Sequence, residues 1–180
     1  MAVEIKFTLE DSDLDYFRNV MKKAQSLSKN LNEQQILSNA KKLSEDVKSA
    51  VPEFVQSRLH KLTTMIAIIE DEEWQAPDEE RADILAALSY FSETEDLIPD
   101  HIPALGFLDD AIMIELVEQE FKDDIEAFEE FNAYREREQD RTGDETITRD
   151  QWLSAKRSEL HSRMRSRRSA RHSSSSRALF

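Results

Sequence analysis

Two prolines and a glycine fall within eight residues of an otherwise helix-friendly chain, in the stretch Asp96-Leu97-Ile98-Pro99-Asp100-His101-Ile102-Pro103-Ala104-Leu105-Gly106-Phe107-Leu108-Asp109-Asp110-Ala111. Proline disfavours helix at the residue before it, here Ile98 and Ile102, and Gly106 tolerates a positive φ that its neighbours do not. The chain must turn here. Leu97, Ile98, Ile102, Leu105, Phe107 and Leu108 are too apolar for a solvated loop, so the turn is expected to pack against the two helices it joins. Pro99, Pro103, Gly106, Asp109 and Asp110 are its structural residues.

Outside this stretch little interrupts a helix. The 180 residues hold only two glycines and four prolines, and Ala, Leu, Glu, Lys, Gln and Arg dominate. The expected class is all-α: a multi-helix bundle with a short N-terminal β-strand and a flexible basic C-terminal tail. The expected division is a helical domain over 1–155 and an Arg/Ser-rich tail over 156–180.

The strand is read from Val3, Ile5, Phe7 and Leu9, which alternate with Glu4, Lys6, Thr8 and Glu10. An isolated strand needs a partner: Thr146-Ile147-Thr148, another protein, or the same strand of a second copy, which would make a homodimer. Helical spacing then runs from Leu14 to Leu27 behind a Ser12 cap, from Ile36 to Ala50, and from Phe54 to Ile69, the most apolar and so the most central. A further helix starts at Pro77-Asp78. After the turn, one long helix is expected from about Leu108 to about Arg137, buried all round over Ala111 to Val117. Its second half presents an acid face of Glu118, Glu120, Asp123, Asp124, Glu126, Glu129 and Glu130. A last helix from Arg149 to about Met164 is capped by Thr148.

The D-L-I-P-D-x-I-P-x-L-G-x-L-D-D-A pattern resembles the signature of the YkvA-like family, domain of unknown function 1232. It matches at Tyr90, Asp96, Leu97, Ile98, Pro99, Asp100, Ile102, Pro103, Leu105, Gly106, Leu108, Asp109, Asp110 and Ala111, within about 84–117. The resemblance implies a helix, a proline-glycine turn and a second helix, a hairpin that many relatives place in or beside a membrane. It implies no activity. The acids in both flanking helices favour a version outside the bilayer, and no run approaches the roughly 18 apolar residues of a spanning helix.

Composition narrows the functional classes. Without cysteine there is no disulfide, thiolate zinc site or cysteine nucleophile. Met1 to Glu10 lacks the features of a secretory signal, so a bacterial cytoplasmic protein is expected. No cofactor is expected, because no phosphate loop, nucleotide fingerprint or nucleophile elbow is present. Asp96, Asp100, His101, Asp109 and Asp110 are the candidates for a metal or acid/base site, and a metal-dependent hydrolase is the alternative function. Consecutive aspartates on a helix point about 100° apart, however, and no second histidine is near, so capping and turn bonding explain them more simply. Asp140, Thr142, Asp144, Thr146 and Thr148 have the spacing of a calcium loop, but Glu145 stands where glycine belongs and Gln151 where the closing glutamate does.

Charge is the remaining signal. The net charge is −14, yet from Lys156 onward eight Lys or Arg face a single acid, leaving an end of +7 on a body of −21. The main expectation is a non-enzymatic interaction or regulatory protein. Arg163, Arg165, Arg167, Arg168 and Arg171 would dock an anionic partner, whether RNA, a ribonucleoprotein or an acidic protein. No aromatic residues are interleaved to stack bases. The other reading of the same residues is that the basic end folds back on its own acidic surface.

Overall fold

The computed structural model describes residues 8–27, 31–46, 53–92, 107–139 and 148–174. Within them the chain forms seven α-helices: α1 Asp11–Leu27, α2 Glu33–Asp46, α3 Glu53–Glu70, α4 Asp78–Leu88, α5 Leu108–Glu120, α6 Lys122–Gln139 and α7 Arg149–Ser174. A 3₁₀ turn, Ser89–Ser92, extends α4. There is no strand among the described residues. Val3, Ile5 and Phe7 lie outside them and Thr8 to Glu10 adopt no regular structure, so the expected N-terminal strand, its pairing with Thr146–Thr148 and a strand-mediated homodimer find no support.

Local chemistry sets the helix starts. The Asn32 side chain accepts a hydrogen bond from the Gln35 N–H at 2.9 Å, and the Gln35 side chain accepts one from the Asn32 N–H at 3.0 Å. Thr148 and Gln151 repeat this reciprocal box at the start of α7, at 3.3 and 3.1 Å. Gln151, the wrong residue to close a calcium loop, thus serves as a cap. At α1 it is Asp13 that accepts from the Glu10 N–H, at 2.9 Å, and Ser12 lies inside the first turn. Replacing Thr148 with alanine should cost about 1 kcal/mol in denaturant unfolding, and an unchanged midpoint would remove the box from the account of α7.

Helix α3 is the centre of the bundle, with α2, α4, α5 and α6 packed around it. It buries Val55, Leu59, Leu62, Met65, Ile66, Ile68 and Ile69. Helix α5 buries Ala111 through Ile114, Leu116 and Val117, and only Glu115 of that run reaches outward, to Arg58 of α3. The single helix expected from Leu108 to Arg137 is bent into α5 and α6. Phe121 takes φ −95° and ψ 21°, yet hydrogen bonds from its N–H to Val117 O and from the Ile125 N–H to its own carbonyl, each 2.9 Å, carry across the bend. Its ring is fully buried there, so packing rather than proline or glycine locates the bend.

Between α3 and α4 the Asp71 carboxylate accepts from the N–H groups of Glu73 and Trp74, at 3.0 and 2.8 Å. Gln75 closes the turn at φ 51°. This folds Trp74 inward, to 1% exposure, against Phe128 and Phe131 of α6 and His161 of α7. No helix among the described residues is long and apolar enough to cross a membrane.

Candidate interaction interface

The largest departure from expectation is the basic end of the chain. Residues 156–174 are not a flexible tail: α7 runs ten residues beyond Met164 and packs along α6. Its inward stripe repeats every three or four residues as Leu153, Arg157, Leu160, Met164, Arg168 and Arg171. Three of these are buried apolar anchors, and the arginines reach past them. Arg157 donates to the Glu73 carbonyl at 2.8 Å.

Along the seam, the acid face of α6 meets this helix charge for charge. Lys156 lies 3.0 Å from Glu130, which also receives Arg163. Arg167 reaches Glu126 at 3.4 Å, and Arg171 bonds both Asp123 and the Gln119 carbonyl at 2.5 Å. Arg149 pairs with Glu73 at 2.5 Å, and Arg135 of α6 bridges Asp71 and Glu73 at 2.6 and 3.3 Å. Hydrogen bonding from Lys156 holds the Glu130 carboxyl below its usual range, and Arg149 does the same to Glu73. These pairs lie partly in solvent, so each contributes little and is weakened by salt. A shallow cleft of about 90 Å³ opens between Glu126, Glu130, Arg163 and Arg167.

One part of the seam is buried. Arg168, whose side chain is 12% exposed, bonds Asp83 of α4 and stands 3.8 Å from Asp124 of α6, with its guanidinium 5.4 Å above the Phe121 ring. Asp124 is 1% exposed and Glu80 of α4 is 4% exposed. Glu80 Oε2 has no hydrogen-bond partner, and the Asp124 oxygens have none beyond their own backbone. Burial pushes the Asp124 carboxyl up to about 7 against the pull of Arg168, and Glu80 adds to the rise. Elsewhere on α7, burial and then the charges of Arg157 and Arg165 push His161 down to about 4. It is neutral at pH 7, packed edge-on to Trp74 with ring centroids 4.4 Å apart.

Of the arginines named as partner-binding, Arg163, Arg167, Arg168 and Arg171 are thus engaged by the chain itself. Arg165 is exposed and has no ion pair among the described residues. Of the Asp-rich turn, Asp96, Pro99, Asp100, His101, Pro103 and Gly106 lie outside the described residues, as does most of the calcium-like loop. Asp109 and Asp110 are brought into the first turn of α5 and are buried, where the helix dipole favours acids. No group of three or more His, Asp or Glu able to hold a metal occurs among the described residues.

Asp124 belongs to the acid face expected to lie in solvent, yet it is buried, as is Glu80 of α4, and their spacing carries the signal. Glu80 shares a face with Ile84, Ala87 and Leu88, and Asp124 shares one with Phe121, Ile125, Phe128 and Phe131. A charged residue in register with an apolar stripe goes inside.

Neither the curated proteins nor the solved structures gave a match to the chain. The hairpin resemblance does have a counterpart: residues 81–116, from α4 into α5, match the family model described as "Protein of unknown function (DUF1232)".

Proposed function

We propose that the chain is a non-enzymatic interaction module of the bacterial cytoplasm. In this reading α7 carries the contact, and its arginines exchange the chain's own acid face for the acidic surface of a partner protein. The observation that carries it is the α6–α7 seam, where Lys156, Arg163, Arg167 and Arg171 meet carboxylates that are mostly half-exposed. Such pairs are replaceable by equivalent ones at little cost. The surface α7 already fits is a carboxylate-rich helix, and its arginines have no interleaved aromatic residues for stacking bases. An acidic protein is therefore favoured over RNA or a ribonucleoprotein.

The test is affinity purification of the full-length chain beside an Arg165→Gln/Arg167→Gln variant, at low and high salt, with and without nuclease. The expected result is a protein recovered by the wild type, indifferent to nuclease, and lost with the two arginines or in high salt. A partner that ignores the arginines, or none, would overturn the reading. Recovery abolished by nuclease would transfer it to nucleic acid.

A further inference from the structure

The charge cluster where α4, α6 and α7 meet is built unlike the rest of the seam. Arg168 stands among Glu80 and Asp83 of α4 and Asp124 of α6, with Asp123 and Arg171 paired alongside. Of the charges on α3 and α5, Arg58 pairs with Glu115 and Lys61 with Glu118 and with Glu129 of α6, while the buried Asp109 and Asp110 sit at the far end of α5, in its first turn. Arg168 thus serves two carboxylates, Asp83 and Asp124, and Glu80 lies close enough to repel Asp124. Asp83, more exposed than Asp124 and Glu80, takes the direct bond, and both Asp124 oxygens are sealed from water with no hydrogen-bond partner beyond their own backbone.

We propose that Asp124 is a proton-operated latch on α7: with its carboxyl protonated the three helices close, and with it ionised α7 opens and its arginines become available. A neutral carboxyl there needs little solvation and does not repel Glu80 or Asp123. An ionised one has Arg168 at 3.8 Å and a hydrogen bond from its own backbone, which do not offset its burial, and opening returns it to water. Its raised value, about 7, sets the sign. An acid that binds its proton more tightly in the closed state contributes stability below its ordinary range, and loses that contribution as pH rises through the folded value. His161 works in the opposite sense, since protonation favours its exposed form, but it titrates lower, near 4. The availability of the arginines rests on the proposed function; the opening itself does not.

Hydrogen exchange on the full chain without any partner measures the opening, with protection corrected for intrinsic rates at pH 6 and pH 8. Opening of residues 157–171 should rise by about tenfold over that interval in the wild type, while α3 keeps its protection. Asp124→Asn should be flat across the interval, with wild-type protection at pH 6 retained at pH 8. Glu80→Gln, which removes a repelling neighbour, should move the transition to lower pH and serves if the first variant does not fold. A wild type without the rise, an Asp124→Asn slope equal to the wild type's, or an equal loss in α3 would overturn the latch. A latch that works in a protein with no acidic partner would leave this inference standing and remove the proposed function.

Discussion

Replacing Trp74 with alanine should lower the stability of the whole bundle by about 3–5 kcal/mol. Trp74 is 1% exposed and is the point where the α3–α4 turn, α6 and α7 meet, with ring centroids 5.7 Å from Phe128, 5.3 Å from Phe131 and 4.4 Å from His161. Truncation leaves a cavity that three rigid elements cannot all close. It also leaves His161 without the aromatic edge it packs on. Urea unfolding followed by circular dichroism gives the midpoint shift, and a change below about 1 kcal/mol would show that α7 is not seated on this residue.

Replacing Arg168 with alanine should cost about 3 kcal/mol, more than any other arginine of α7. The half-exposed pairs of Arg163 and Arg167 are screened and replaceable, whereas Arg168 is the cation shared by Asp83 and Asp124. At pH 8, where Asp124 is ionised, removing it leaves that carboxylate enclosed without a counter-charge, and below about pH 7 the neutral carboxyl makes the loss smaller. A double change of Arg168→Leu with Asp124→Asn should recover most of the loss, because it removes the unpaired charge along with the arginine. The same urea titration run on the single and double variants decides this. Additive losses would mean that the two residues do not interact.

Much of the fold is legible in the sequence because most helices carry their own periodicity. Helix α3 announces itself through Val55, Leu59, Leu62, Met65, Ile66 and Ile69, and the Thr148 cap marks the residue just before α7. The last ten residues of α7 are not legible in that way. After Met164 the chain offers Arg, Ser and Ala, a composition that reads as a solvated tail. What holds it helical and docked is contact with residues far along the chain: Arg168 meets Asp83, 85 positions away, and Arg171 meets Asp123, 48 away. No local pattern contains those pairings. The charge asymmetry did contain the complementary surfaces, and folding the basic end onto the acid face was one of its two readings. The bend at Phe121 was hidden for a similar reason, since neither proline nor glycine marks it and only packing places it.

The interface exists only if the last helix is docked, and hydrogen exchange of the wild-type chain at low ionic strength tests that docking most directly. Amides from Trp152 through Arg171 should exchange slowly together with those of α6, and the protection past Met164 should fall first as salt is raised. Exchange at unstructured-peptide rates beyond Met164, with α6 still protected, would contradict a helix clasped to the acid face and return residues 165–174 to a free basic tail.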